Sequence, residues 1–210
     1  MRMYEIVYSE VDNVPLNSTI WDRANIAMID NFPWDREGAR PRTLVRLIDS
    51  PGGISIRFEV CEQPILARYK NPNDPVCRDS CVEFFMQPDA QDDRYMNFEL
   101  NPLGTMLLGI GTGIDDLKFL DNDRDLFSVE TNIENTSWTL KLFIPYSFLL
   151  EFFKGISNPF RANLQKCTDH SPETHYGCWS PIGTPNPDFH RPEYFGLFTR
   201  VKSSGGMILS

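Results

Sequence analysis

Two segments of the chain alternate strictly between apolar and polar side chains, and this alternation constrains the fold most. In residues 96–101 and 160–165 every second side chain is apolar. Successive strand side chains point to opposite faces, so each segment predicts a β-strand that buries one row and presents the other. The presented residues are Asn97, Glu99, Asn101, Arg161, Asn163 and Gln165. Rows of amides suit fixed hydrogen bonding to a neutral polyol, which favours a sugar-like ligand over bond-breaking chemistry.

The composition is that of one ordinary globular domain. The 210 residues carry a formal net charge of −9, and the Lys and Arg residues are scattered singly. Because nucleic-acid phosphates require a basic stripe, nucleic acid is excluded as a partner. No basic run or long apolar stretch predicts a membrane contact. We find no repeat or linker and predict a single domain over residues 1–210, with the oligomeric state left open.

Localisation and redox state follow from the N-terminus and the cysteines. Residues 1–7 contain no apolar stretch of the signal-peptide kind, so the chain as written is expected to be cytoplasmic. A chain from which a leader had been removed would look the same, and would be secreted or periplasmic. The five cysteines are an odd number, which favours free thiols over a complete disulfide framework. Whether Cys167 and Cys178 are bridged stays open at this point.

Further strands are predicted at regular spacing, with turn residues between them. Two short helices are also predicted: one is capped by Asn17 or Ser18, and one runs from Pro145 to Gly155. The spacing predicts an all-β antiparallel β-sandwich, of immunoglobulin-like or jelly-roll type, with one or two short helices. The additional predicted strands are 43–48, 54–60, 81–86, 105–110, 126–133, 138–144 and 194–201.

An ordered set of motifs resembles the family 9 carbohydrate-binding modules and the related family 9-like bacterial proteins. The motifs are DSCVEFF at 79–85, YMNFELNPLG at 95–104, RANLQKC at 161–167, WSP at 179–181 and PDFHRPEYFG at 187–196. Their order and spacing agree with the family from about Trp21 to Leu197. The resemblance implies a β-sandwich that binds an oligosaccharide or polysaccharide and is associated with polysaccharide breakdown.

The resemblance also implies roles for particular residues. In the best-understood members of the family, two tryptophans sandwich a terminal sugar ring while polar side chains bond its hydroxyls. Glu83 matches the family's polar contact after the Asp-Ser pair, and Glu99 stands where those members place an arginine. Asn186 falls near an asparagine of the last loop, and Phe189 occupies the second tryptophan position.

The first tryptophan position of the family falls on Val76 or Cys77, neither of which can stack on a sugar. Trp179 is a candidate stacking surface and equally a candidate core residue. His190 is a candidate hydrogen-bonding partner, although a histidine in such a loop more often tethers the loop itself. The complete predicted binding set adds Glu83, Trp179, Asn186, Phe189 and His190 to the six polar strand residues.

No cofactor or metal is predicted. Residues 121–125 begin like a calcium loop, but Leu126 stands where that loop needs glycine, and no glutamate follows at the twelfth position. Calcium is left open because members of the resembled family hold it. Four potential zinc ligands have a spacing unlike that of zinc fingers, so zinc is disfavoured. These four are Cys167, His170, His175 and Cys178.

Alternative functions rest on the same polar residues. Glu83 and Glu99 are the candidate acid and base of a glycoside hydrolase, provided that their carboxyls lie at one of the two characteristic separations. The chain contains no Ser-His-Asp ordering, phosphate-binding loop or dinucleotide fingerprint. We therefore predict no catalytic residues and a non-enzymatic protein. The remaining alternatives are an interaction sandwich whose polar face contacts another chain, and a plain solvated face with a Glu99–Arg161 ion pair.

Overall fold

The computed structural model describes residues 1–35, 38, 40–122, 124–169 and 174–201. The strands in chain order are β1 Met3–Tyr8, β2 Ala27–Ile29, β3 Arg42–Ser50, β4 Gly53–Cys61, β5 Cys81–Gln87, β6 Tyr95–Leu100, β7 Met106–Gly111, β8 Lys118–Phe119, β9 Glu130–Ile133, β10 Ser137–Pro145, β11 Phe160–Thr168, β12 His175–Cys178 and β13 Gly196–Val201. The α-helices are α1 Arg124–Phe127 and α2 Tyr146–Phe152, and 3-10 helices span Thr19–Arg23, Val76–Arg78, Ile114–Asp116 and Pro192–Tyr194. Within these ranges no helix is long and apolar enough to cross a bilayer.

The two predicted helices are present near their predicted positions. The Ser18 hydroxyl accepts a hydrogen bond from the backbone N–H of Ile20 at 3.2 Å, which caps the first of the 3-10 helices. Pro145 caps α2 with extended backbone, and the helix ends three residues before Gly155.

The predicted strand over residues 126–133 is wrong in its first half. Phe127 belongs to α1 and is fully buried, with its ring 4.8 Å from that of Phe148. The following residue, Ser128, has a φ of 44°, which interrupts an extended chain. Burial of the Phe127 ring therefore overrides the strand-like composition, and the strand begins only at Glu130.

All strands belong to one curled sheet in the order β8-β7-β6-β5-β11-β13-β1-β3-β4-β10-β9, with β12 added to β11 and β2 to β3. The predicted all-antiparallel pairing is wrong, because β1 runs parallel to both β13 and β3. Neighbours joined by a tight turn must be antiparallel. No tight turn joins β1 to β13, so these two strands can pair in parallel. The sheet is therefore mixed.

The two halves of the sheet cover one main apolar core. Phe84 and Phe98 from one half lie in the same buried cluster as Ile56 and Leu140 from the other. These side chains belong to the apolar rows of the alternating strands, as the sequence pattern predicts. The opposite face of β7, β6, β5 and β11 is called the outer face below.

Trp179 lies in the main core and not on the outer face. Its side chain is 4% exposed and makes edge-on contacts with the rings of Tyr4 and Phe198, at 6.4 and 5.0 Å between centroids. The reading of Trp179 as a core residue is therefore the one that the structure supports, and this ring offers no surface to a ligand.

Packing around Trp179 predicts a strong effect of a single methyl group. A Cβ atom at Gly196 would lie 2.4 Å from Cζ3 of Trp179 and 2.8 Å from the carbonyl oxygen of Arg2. Overpacking of this kind costs about 1–3 kcal/mol. We expect Gly196→Ala to lower the free energy of unfolding by that amount in urea denaturation. Gly155→Ala is the matched control, since its Cβ meets nothing within 4 Å. An unchanged stability of Gly196→Ala would contradict the position of Trp179.

Candidate functional site

A cleft of ≈ 640 Å³ lies between the outer face and residues 179–195, the connection from β12 to β13 that we call the capping loop. Strand residues form its floor, and residues 184–191 of the capping loop form one wall. Its volume is in the range of sites that take small ligands. A smaller pocket of ≈ 220 Å³ lies elsewhere, lined by Glu62, Thr168 and His175 among others.

The floor of the cleft carries two carboxyl groups side by side. Glu83 of β5 and Glu99 of β6 are directly opposite each other in the antiparallel ladder. Asn97 and Asn163 are both opposite Phe85, from β6 and β11 respectively, so the polar rows of these strands share one face. The prediction of a common polar face is confirmed.

Burial raises the pKa of both floor carboxyls. The pKa of Glu83 lies well above its ordinary value, because the side chain is desolvated and faces the charge of Glu99. Desolvation raises the pKa of Glu99 to about 7, partly offset by a hydrogen bond from Asn97 Nδ2 at 2.7 Å. The nearest strong cation to Glu83, Lys166, projects from the opposite face, where it pairs with Glu62 at 2.9 Å. Both carboxyls are therefore shifted towards the neutral form, in which a carboxyl group can donate as well as accept a hydrogen bond.

Two other residues of the polar rows anchor the capping loop instead of facing the cleft. Asn163 donates to the carbonyl of Ser180 at 3.0 Å and accepts from the Ser180 N–H at 2.8 Å. Arg161 Nη2 donates to the carbonyls of Pro192 and Glu193, at 2.7 and 3.1 Å. The loop is thus fixed to β11 near both of its ends. The alternative of a Glu99–Arg161 ion pair does not occur in the structure.

The remaining members of the polar rows are also buried away from the cleft. Asn101 donates to Asp79 Oδ2 at 3.0 Å and to the carbonyl of Tyr69 at 2.8 Å, which ties down the segment before β5. Gln165 is fully buried, and neither of its amide atoms has a hydrogen-bond partner among the described residues. Asn97 supports Glu99 as described. Of the six predicted polar strand residues, Glu99 is therefore the one that lines the cleft.

Three of the four predicted residues of the capping loop line the cleft, and Trp179, in the main core, is the exception. Asn186 is exposed there. Phe189 is 8% exposed, because its ring packs against those of Trp34 and Tyr176 at 5.8 and 6.1 Å. His190 tethers its loop, as the alternative reading proposed, through a 2.7 Å hydrogen bond between Nδ1 and the hydroxyl of Tyr95. Burial lowers the pKa of His190, so its imidazole is neutral at neutral pH.

The apolar wall opposite the capping loop was missed by the sequence reasoning. Leu107, Ile114, Leu117 and Phe119 line the cleft from β7, β8 and the turn between them. Phe119 is 60% exposed and sits opposite Gly109 in the sheet. Strand β8 has two residues, so no alternation could reveal it.

The position corresponding to the family's first tryptophan offers no ring. Val76 is fully buried in the apolar cluster on the outer face, while Cys77 lines the cleft. The expectation that this side lacks a stacking partner agrees with the structure, and Phe119 is the exposed aromatic ring among the described cleft residues.

The zinc and calcium motifs lie partly outside the described residues, which exclude His170 and Asp123. Within the zinc motif, Cys167 and Cys178 point to the outer face, whereas His175 lies opposite Thr168 on the other face and contacts Lys166 Nζ at 3.1 Å. These three side chains do not converge. All five cysteines are free thiols, and Cys167 lies opposite Cys81, not opposite Cys178.

Comparison with known proteins identifies the family. The profile of Carbohydrate-binding family 9 matches residues 16–199, which is most of the chain. This chain belongs to carbohydrate-binding family 9. None of the curated proteins matches it in sequence.

Solved structures share the fold of this family 9 chain over its whole length. A protein from Bacteroides uniformis ATCC 8492, provisionally described as carbohydrate-binding, has 24% identity and a TM-score of 0.84, covering 95% of this chain and 99% of its own. A family 9 module from Caldicellulosiruptor kristjanssonii in complex with glucose has 12% identity and a TM-score of 0.67, covering 99% and 100%. The same kind of module in complex with cellotriose has 12% identity and a TM-score of 0.64, covering 100% of both chains.

The anchoring of the capping loop predicts the effect of removing Asn163. Asn163→Ala leaves the N–H and C=O of Ser180 buried without partners, which costs about 1–3 kcal/mol. We expect a lower midpoint in thermal and urea denaturation. Asn132→Ala is the matched control, because Asn132 lies exposed on the edge strand β9. Equal stability of the two variants would contradict the anchoring role of Asn163.

Proposed function

We propose that this protein binds carbohydrate without cleaving it, with the cleft between the outer face and the capping loop as its site. The observation that carries the proposal is a cleft that combines carboxyl groups with aromatic rings. Glu83 and Glu99 lie on its floor, while Phe119 of β8 and Phe189 of the capping loop also line it. Sugar rings present hydroxyls at their edges and C–H groups on their faces. A site with hydrogen-bonding groups below and rings beside it matches both.

The ligand class that fits this cleft is a neutral oligosaccharide. Arg191 is the one Lys or Arg among the described cleft residues, and Asp188 pairs with it at 2.7 Å. A phosphorylated or carboxylated sugar would therefore meet no free cation and two buried carboxyls. The family 9 structures with glucose and cellotriose support the same class. The binding contacts that we propose are Glu83, Glu99, Asn186, Phe189 and His190 from the sequence, with Phe119 added.

A role in polysaccharide breakdown, beside the enzymes that carry it out, is the wider context that we propose. Polysaccharides do not cross membranes unaided, so this role requires the secreted or periplasmic alternative and not the cytoplasmic one. Bacterial origin agrees with the sources of the structural relatives.

A glycoside hydrolase is the second candidate, because the cleft contains a carboxyl pair and the pKa of Glu99 is raised to about 7. The arrangement of the pair argues against it. Directly opposite residues of an antiparallel ladder stand side by side, with Cβ atoms about 4.5–5.5 Å apart, and project in the same direction. The two carboxyls of a hydrolase must flank the scissile bond. Glu83 and Glu99 therefore meet the same side of a ligand.

Calorimetry with a cello-oligosaccharide tests the binding site. Phe119→Ala removes an exposed ring, so we expect a normal fold and a loss of about 0.5–1.5 kcal/mol, or roughly 2- to 10-fold in affinity. Ile133→Ala is the control, since Ile133 is an exposed apolar residue on β9, at the far end of the sheet order. Equal affinities of both variants and the unmodified protein would exclude Phe119 from the site.

Product analysis separates binding from hydrolysis. We expect the purified protein to release no new reducing ends from glucans, and Glu83→Gln to change the affinity only, because an amide keeps a hydrogen-bond acceptor but can neither attack nor transfer a proton. Cleavage by the unmodified protein that disappears in both Glu83→Gln and Glu99→Gln would overturn the non-catalytic proposal.

A further inference from the structure

Three potential metal ligands meet at one end of the cleft floor. Cys81 of β5 lies directly opposite Cys167 of β11, and Glu83 follows Cys81 on the same face of β5. Cys167 Sγ donates a hydrogen bond to Glu83 Oε1 at 3.0 Å. One ligand atom from each of the three side chains lies within 4.8 Å of the other two, and all three residues are buried.

The separations suit a single tetrahedral ion. Zinc takes sulfur at about 2.3 Å and carboxylate oxygen at about 2.0–2.2 Å, so neighbouring ligand atoms of a tetrahedral site lie about 3.5–3.8 Å apart. Cys167 Sγ lies 3.0 Å from Glu83 Oε1, and all three ligand atoms lie within 4.8 Å of one another. The distances required between the ligand atoms of a tetrahedral site fall between these two values.

The fold alone does not account for this cluster. The same two strands fill their other face with apolar side chains such as Val82 and Leu164. A buried carboxyl group ionises readily only beside a cation, and Lys166, on the opposite face, is already paired with Glu62. Gln165, directly opposite Glu83 on the outer face, is buried with both amide atoms unpartnered among the described residues. The Gln165 amide is therefore a buried polar group, without a hydrogen-bond partner among the described residues, next to the two thiols.

The cluster is accessible from the cleft. Glu83 and Cys167 both line it, so an ion held by the three side chains would face the cleft with its fourth position. Water or a ligand hydroxyl can complete the coordination there. Cys77 lines the same end, and its carbonyl oxygen lies 3.8 Å from Cys167 Sγ.

The donor set selects the kind of ion. Two thiolates and one carboxylate favour a borderline-soft divalent cation of the zinc class, whereas calcium and magnesium require oxygen ligands throughout. Binding displaces the protons of the two thiols and any proton held by Glu83, because burial raises the pKa values of all three groups in the free protein. We propose that Cys81, Glu83 and Cys167 form a binding site for a zinc-class cation at the end of the cleft floor. This site shares only Cys167 with the C-x2-H-x4-H-x2-C motif and takes its other two ligands from β5.

Cadmium titration tests the proposal, because a cadmium–thiolate bond has an ultraviolet charge-transfer absorption. The full-length protein is reduced, freed of metal with a chelator and titrated with Cd²⁺. We expect the absorption to saturate at one equivalent and to be reversed by excess Zn²⁺. Loss of a direct ligand should exceed the roughly 10- to 100-fold loss of affinity typical of outer-shell partners. Cys81→Ser and Cys167→Ser are therefore each expected to weaken binding at least about 100-fold and to reduce the band.

Two control variants show whether loss of the cadmium band is specific to the proposed ligands. Cys61→Ser removes an exposed thiol, and Cys178→Ser removes a buried thiol outside the cluster, so both should retain the full band. Glu83→Gln should weaken binding while the bound form keeps the two-thiolate band. Circular dichroism verifies that each variant folds. The absence of a band in the unmodified protein would overturn the proposal, as would a band that survives in both Cys81→Ser and Cys167→Ser.

Discussion

The attachment of the capping loop to the outer face of the sheet is the interaction on which the site depends. The reciprocal hydrogen bonds between Asn163 and Ser180 fix the loop where it leaves β12. Arg161 holds its return to β13, and Trp34 Nε1 donates to the carbonyl of Thr184 at 2.8 Å in between. These bonds hold the capping loop over the outer face. With them, residues 184–191 form a wall above two carboxyls.

The same attachment explains what the sequence could and could not predict. Alternation along β6 and β11 locates the polar face correctly, because the two-residue period of a strand is independent of what covers that face. It cannot distinguish a side chain that anchors a loop, such as Asn163, from one that lines the cleft, such as Glu99. Phe119 escaped notice since a two-residue strand has no period. The parallel pairing of β1 was missed because no local signal encodes a contact between the two ends of the chain.

Burial changes the chemistry of the site as well as its shape. An exposed Glu83–Glu99 pair would carry two negative charges, but desolvation raises both pKa values and so favours protonation of the pair. A protonated carboxyl group donates as well as accepts hydrogen bonds, and the hydroxyls of a neutral polyol can pair with both. Membership of family 9 gives the fold and the general role, while the burial of Glu83 and Glu99 is read from this structure.

The most direct test of this account is an amide-resolved nuclear magnetic resonance titration with cellotriose. The account predicts that the shifted resonances belong to the cleft, including Glu83, Glu99, Phe119 and His190, while those of β4 and β10, such as Arg57 and Thr139, stay unchanged. Saturable shifts confined to β4 and β10, or none at all at millimolar ligand, would contradict the central claim that the outer face and its capping loop form the carbohydrate site.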